Sequence, residues 1–314
     1  MALLEIRNLA VGIKCEKNYI NAVNSIDMTI NSGEIIGLAG ESGCGKTLTA
    51  LSIVRLLPAS AEIVNGTISY NGIAIDEVPH GEIAIIFQEP RQSLNPLMRI
   101  GSQISEALEL QGIDKKTARE AALDMMQKLK LPEPHLMFNA WPHQLSGGMC
   151  QRVMIAIAAI RRPRLLIADE PSSSLDTKNR DNILELLMQI NQEFGTAILF
   201  ITHELSIVQH FCKRLLVMYS GRIIEEGSAK DILSAPMHPY TIALAGAIPR
   251  KENIGRPLAN IPGTAPSIED VLPGCPFAPL CNRTSEPCTK NLPPLANIGA
   301  NRNVCCFFPG DANG

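Results

Sequence analysis

The run Gly40-Glu41-Ser42-Gly43-Cys44-Gly45-Lys46-Thr47 lies between the apolar stretch Ile35–Ala39 and a helix-like segment that begins at Lys46. A strand feeding a glycine-rich turn into a helix N-terminus leaves several backbone N–H groups aimed at one point, where they cradle phosphates. In such a P-loop Lys46 reaches the β and γ phosphates of a nucleoside triphosphate and the Thr47 hydroxyl ligates Mg²⁺. Glycine is required at positions 40, 43 and 45 because the turn needs positive φ or a close approach of phosphate to backbone. A chance match to this spacing is expected in roughly one chain in a hundred of this length, before the flanking strand and helix are counted.

Two carboxylates could complete the chemistry. Asp169 and Glu170 end the apolar run of residues 164–168. Paired at a strand end, one carboxylate holds Mg²⁺ (Asp169) and the next polarises a water for in-line attack on the γ phosphate (Glu170). Without the P-loop the same pair would read as a solvated acidic turn. Gln88 ends a second apolar run at residues 83–87, where its amide suits Mg²⁺ or the attacking water. His203 follows a third, residues 196–202, and suits a hydrogen bond to the γ phosphate and to the catalytic glutamate. Tyr19, some two dozen residues before the P-loop, either stacks on a nucleotide base or simply packs.

The elements that must position these residues follow from periodicity. Residues 3–9 and 22–30 alternate apolar and polar positions as strands of an antiparallel piece. Residues 49–57 are apolar at helical spacing up to Pro58, and residues 63–70 and 73–75 flank Asn71-Gly72 as a hairpin. Residues 100–131 turn helical and read as an insertion. A strongly apolar helix reaches residue 160, an amphipathic one spans residues 181–194, and His203 opens the next. Residues 215–219 and 222–225 form a last hairpin around Ser220-Gly221. Buried strands alternating with helices predict a mostly parallel α/β sheet, with phosphate ligands at the carboxyl ends of its strands. Beyond about residue 235 proline, glycine and asparagine become frequent and the amphipathic pattern stops.

The 314 residues, 46% apolar with a formal net charge of −3, describe an ordinary globular chain without the basic excess that favours nucleic acid. The apolar run at residues 153–160 spans only eight residues, too few for a bilayer span. Glu5 and Arg7 interrupt what would be the apolar core of a signal peptide. A cytoplasmic chain is therefore expected. Five of the nine cysteines fall in the last forty residues, which favours a metal site over disulfides in that compartment.

The combination of motifs resembles the ABC-type ATPases. WPHQLSGGMCQR at residues 141–152 is similar to their signature motif, and the order P-loop, Gln88, signature, LLIADE, SSSLD, ITHEL is theirs. The resemblance covers about the first 235 residues. It implies a P-loop NTPase of the ABC ATPase fold, with a mostly parallel core sheet, an antiparallel β piece and a helical subdomain at about residues 90–160. It also implies a domain over residues 1–235 followed by a loop-rich, cysteine-containing extension over residues 236–314. Such domains pair head to tail, so Ser146, Gly147 and Gly148 at a helix N-terminus would meet ATP held by another subunit's P-loop. By the same resemblance Ser174, Leu175 and Asp176 form the D-loop that crosses the dimer interface. Closure on ATP and reopening after hydrolysis would drive a membrane partner.

Finer features resemble the ATP-binding subunits of peptide and nickel importers: residues 87–104, 145–158 and 237–249, and GCPFAPLC at 274–281. Met149 is usual in that group, whereas Cys150 stands where it usually has arginine. The resemblance implies ATP and Mg²⁺ as ligands. The implied partners are a second ABC ATPase subunit, identical or related, two transmembrane permease subunits and an extracytoplasmic substrate-binding protein. The chain would then lie peripherally on the cytoplasmic face of the cell membrane. The competing reading, a soluble ABC-type ATPase acting on nucleic acid or ribosomes, expects a long coiled coil or a second P-loop, and neither is present. Cys275, Cys281 and Cys288 followed by Cys305-Cys306 resemble the pattern that binds an iron–sulfur cluster in some members. The readings are a [4Fe–4S] cluster, a zinc ion, or reduced structural thiols, with Cys306 or Cys305 as fourth ligand.

Overall fold

The computed structural model describes residues 2–15, 18–173, 176–248, 272–299 and 301–310. The chain begins with strands β1 (Ala2–Cys15), β2 (Asn18–Asn31) and β3 (Ile35–Ala39), helix α1 (Lys46–Ile53), and strands β4 (Ala61–Tyr70), β5 (Ile73–Ala74) and β6 (Ile83–Ile86). Helices α2 (Pro90–Ser93), α3 (Ile100–Glu109), α4 (Lys115–Lys128), α5 (Pro134–Met137) and α6 (Gly147–Ala159) follow without an intervening strand. Then come β7 (Leu165–Asp169), α7 (Thr177–Phe194), β8 (Ala197–Thr202), α8 (Leu205–Phe211), β9 (Arg214–Tyr219) and β10 (Arg222–Ser228). The C-terminal part adds α9 (Ala229–Ser234), α10 (Pro239–Gly246), α11 (Glu286–Lys290), β11 (Ala296–Asn297) and β12 (Asn303–Val304).

These elements form two compact units. One comprises Asn31–Glu34 and Val78–Leu199, and the other Ala2–Ile30, Ile35–Glu77 and Phe200–Gly314. In the second unit the strands run in the order β2-β1-β4-β5, with β1 antiparallel to β4 from Leu4↔Tyr70 to Ile13↔Ala61. This is the expected antiparallel piece, and its hairpin turns at Asn71-Gly72. A register shift between Arg7 and Ala10 marks a bulge, where Asn8 takes φ 49° and donates its N–H to Asp27. Strand β3 pairs parallel with β9, and β9 pairs antiparallel with β10.

The other unit pairs β6 parallel with β7, from Ile83↔Leu165 to Ile86↔Ala168. Leu165 to Ala168 and Ala197 to Leu199 have no exposed surface, as continuous apolar strands of a parallel sheet require. The predicted helical insertion at residues 100–131 contains α3 and α4. Ser146 caps α6, its hydroxyl accepting from the Met149 N–H, and Asp114 caps α4. Gly195, at φ 67°, closes α7.

The structure differs from expectation at several boundaries, and α7 begins at Thr177 rather than at residue 181. The helix after the P-loop stops at Ile53, short of residue 57. Arg55 adopts φ 59°, and the Leu56 and Arg55 N–H groups bond the Leu51 and Ser52 carbonyls. That is a Schellman closure with arginine in the usual glycine position. The tail, expected to be loop-rich, also contributes to a sheet: β12 pairs antiparallel with β10 at Glu225↔Val304 and with β11 at Ala296. No helix among the described residues is long and apolar enough to cross a membrane.

Candidate nucleotide site and cysteine-lined cavity

Residues 40–47 connect β3 to α1. Gly45 sits at φ 108° as the N-cap of α1, and a Cβ there would lie 2.8 Å from the Ala22 carbonyl. At Gly40 a Cβ would meet the Met218 carbonyl of β9 at 2.2 Å, so only glycine lets the loop lie against that strand. Lys46 is buried at 4% exposure, and its Nζ donates to the carbonyls of Gly40 and Glu41 at 2.7 Å each. Cys44 is also buried, with Sγ 3.7 Å from that ammonium. Burial raises its thiol pKa against the opposing pull of Lys46. The Ser220-Gly221 turn braces the loop from behind, since the Gly221 N–H donates to the Cys44 carbonyl. Asn24 ties down the same turn through the Ser220 carbonyl. Ser42 and Thr47 are exposed, Thr47 in the first turn of α1.

A support that sequence reasoning missed comes from far along the chain. The Tyr240 hydroxyl accepts the Glu41 N–H at 3.0 Å. Tyr240 is fully buried in α10, against Tyr219 at 4.6 Å and edge-on to Phe277 at 5.6 Å between ring centroids. His238 caps α10 by accepting the Tyr240 N–H on Nδ1, and burial pushes its pKa down to about 4, which keeps the ring a neutral acceptor. The entry to α10 is fixed by Glu225, which has no exposed surface. Glu225 accepts the Met237 and His238 N–H groups at 3.0 Å each and pairs with Arg302 of the tail. No periodicity in the segment MHPYTIALAGAIP foretells a partner 199 residues away.

In the other unit, Asp169 is buried at the end of β7, and Glu170 follows at φ 47°. A left-handed glutamate is uncommon and held by its surroundings. Here the Glu170 carbonyl accepts from the Ser173 N–H and hydroxyl, closing a tight turn. The Gln88 amide donates to Glu170 Oε2 at 3.3 Å, so two of the expected chemical residues meet. Ser146, Gly147 and Gly148 stand at the N-terminus of α6, as anticipated. Cys150 points inward with no exposed surface and lies 3.9 Å from the Pro142 carbonyl. Asp176 caps α7: its carboxylate accepts the Asn179 N–H, which with the Asn179 amide holds its pKa below the usual range. Ser174 and Leu175 lie outside the described residues.

His203 is exposed between β8 and α8, and Glu204 rather than His203 caps that helix. Tyr19 is 43% exposed on β2, with its hydroxyl engaged by Glu62 of β4.

The tail brings cysteines together. Cys275, Cys281, Cys288 and Cys306 line one pocket together with Phe277 and His238. Burial raises the thiol pKa values of Cys275, Cys281 and Cys306, and backbone N–H groups of Phe277, Arg283 and Phe308 respectively pull against it. Gly274 lets the Cys275 N–H reach the Cys288 carbonyl at 2.8 Å, where a Cβ would collide at 2.2 Å. Cys305 instead directs its Sγ to the Pro293 carbonyl at 3.0 Å. No three His, Cys, Asp or Glu side chains among the described residues converge as a single-ion site.

Residues 23–173 match the ABC transporter family, and residues 224–288 match the oligopeptide/dipeptide transporter C-terminal region. The chain is 42% identical to the oligopeptide transport ATP-binding protein OppD of Salmonella typhimurium, covering 98% of this chain and 94% of the relative. It is 38% identical to the dipeptide transport ATP-binding protein DppD of Escherichia coli, covering 100% and 99%. Among solved structures, the ATP-binding cassette MJ0796, a post-hydrolysis dimer bound to ADP and Pi, matches with a TM-score of 0.63 and 26% identity. That match covers 72% of this chain and 98% of the cassette. CbiO1 from Clostridium perfringens, part of the transporter complex cbiONQ, gives a TM-score of 0.65 at 25% identity, covering 74% and 91%.

Proposed function

Because this chain belongs to the ATP-binding proteins of ABC transporters, with the C-terminal region of the oligopeptide/dipeptide group, we propose that it is the ATP-hydrolysing subunit of a peptide importer. The observation that carries the reading is the span of the similarity. Relatives named for oligopeptide and dipeptide transport match over 98% and 100% of this chain, so the similarity takes in the tail as well as the P-loop part. We take the ATPase domain as residues 1–235 and the extension as 236–314.

In this reading the amides of residues 41–47 and the Lys46 ammonium bind the triphosphate, and Lys46 neutralises charge on the β and γ phosphates. The Thr47 hydroxyl and the Asp169 carboxylate would hold Mg²⁺, which would supply charge neutralisation to the phosphates. Glu170 takes the proton of the attacking water. The Gln88 amide, already on Glu170 Oε2, orients that carboxylate, and His203 hydrogen-bonds the γ phosphate. Tyr19 is assigned to the base. Ser146, Gly147 and Gly148 serve the nucleotide of a second ATPase subunit, identical or related, across an interface that Asp176 borders. Two permease subunits and an external binding protein complete the importer, with this chain peripheral on the cytoplasmic face.

Cys275, Cys281, Cys288 and Cys306 are proposed to hold an iron–sulfur cluster. Four soft donors around one cavity suit a cluster, in which each thiolate binds a different iron. A single zinc draws all its sulfurs to about 2.3 Å from one point. Burial raises the thiol pKa values of Cys275, Cys281 and Cys306 against the pull of neighbouring backbone N–H groups, so cluster binding would have to displace their protons.

The cargo is tested in a deletion strain by uptake of radiolabelled di- and oligopeptides and by nickel-dependent urease activity. Peptide uptake is expected to fall and urease activity to stay. The opposite outcome would move the assignment to nickel.

A further inference from the structure

The Gly40 carbonyl and the Glu41 N–H belong to one peptide group, and in a trans peptide they point in opposite directions. On one side the carbonyl receives the Lys46 ammonium at 2.7 Å, and on the other the N–H is received by the Tyr240 hydroxyl at 3.0 Å. That single peptide plane is held from front and back. Glu41 contributes a second time, since its own carbonyl takes another Lys46 proton at 2.7 Å.

From this geometry we infer that Tyr240 is a positioning residue for the nucleotide site: it locks the Gly40–Glu41 peptide plane and thereby sets where Lys46 sits. The inference rests on the P-loop reading above and extends it to a residue of the C-terminal part.

The lock is itself built to stay still. The Tyr240 ring is fully buried between Tyr219 of β9 and Phe277, and Tyr219 and Phe277 touch edge-on at 5.3 Å. Phe277 stands between Cys275 and Cys281, so the ring that backs Tyr240 also walls the cysteine-lined cavity. The helix carrying Tyr240 starts from a cap at His238 and from two N–H groups bound to the buried Glu225 carboxylate. On the loop side, Gly40 lies against the β9 backbone so closely that no side chain fits. The Gly40–Glu41 peptide therefore has one main freedom left, rotation of its plane, and the tyrosine hydroxyl opposes that rotation.

Tyr240→Phe removes the hydroxyl and keeps the ring packing. Leaving a part-buried N–H without its acceptor should weaken nucleotide affinity by roughly 5- to 30-fold. The full-length wild-type chain, Tyr240→Phe and Lys46→Ala are titrated with a fluorescent ATP analogue and Mg²⁺. Amide hydrogen exchange is followed by mass spectrometry, with a thermal midpoint for each protein. Tyr240→Phe is expected to raise Kd by that factor and to speed exchange in the peptide covering residues 35–47, while exchange elsewhere stays close to wild type and the midpoint falls by no more than a few degrees. An unchanged Kd, or exchange that accelerates evenly through the protein, would overturn the inference and reduce Tyr240 to packing. Wild-type affinity in Lys46→Ala would instead contradict the P-loop reading.

Discussion

Replacing Arg302 by alanine should loosen the C-terminal region from β10. Arg302 donates to Glu225 Oε1 through Nε at 3.1 Å and through Nη2 at 2.5 Å, and Glu225 has no exposed surface. Removing one partner of a buried pair costs about 3–5 kcal/mol, because the remaining charge keeps its desolvation penalty. Glu225 would keep the Met237 and His238 N–H groups, which places the loss near the lower end, about 3 kcal/mol. At about 2–4 °C per kcal/mol for a large domain, the thermal midpoint should drop by about 6–12 °C. Glu225 also fixes the start of α10, so nucleotide affinity should weaken with it. The assay is a circular-dichroism melt of the full-length protein beside Lys290→Ala. Lys290 pairs with Glu286 at the surface, both side chains more than half exposed, and its removal should move the midpoint by no more than about 2 °C. A midpoint for Arg302→Ala indistinguishable from that of Lys290→Ala would refute the reasoning.

Two further outcomes follow from the sites. Glu170→Gln should slow hydrolysis by about 100-fold or more and trap an ATP-bound dimer, read by phosphate release and by size exclusion; hydrolysis at the normal rate would remove Glu170 as the base. Anaerobically purified wild-type protein should contain iron and acid-labile sulfide. Cys288→Ser should lose them and Cys305→Ser retain them, whereas a metal-free, fully folded wild-type protein would end the cluster proposal.

The catalytic motifs were legible because their chemistry is local. A glycine run between an apolar strand and a helix, or two carboxylates closing a buried strand, carries its meaning within about ten residues. The meeting of Gln88 with Glu170 was not foretold: it needs the parallel pairing of β6 with β7, which delivers both residues to the same edge. The end of α1 was not legible, because Arg55 takes a conformation that sequence patterns reserve for glycine. Nor was β12, since two residues show no periodicity and the strand exists through its pairing with β11 and β10.

That pairing also separates the two adjacent cysteines. The Cys305 N–H bonds the Ile224 carbonyl, so the chain stays extended and neighbouring side chains point to opposite faces. Cys305 turns to Pro293 and Cys306 to the cavity. Tyr240 shows the limit most plainly, for its role depends on a tertiary contact that no spacing encodes.

ATP turnover at the Lys46 loop is proposed to drive peptide import. It is tested most directly by peptide uptake in cells whose only copy of this chain carries Lys46→Ala, with the protein present at wild-type level. Uptake should fall to the level of the deletion strain, and uptake at the wild-type rate would contradict the account.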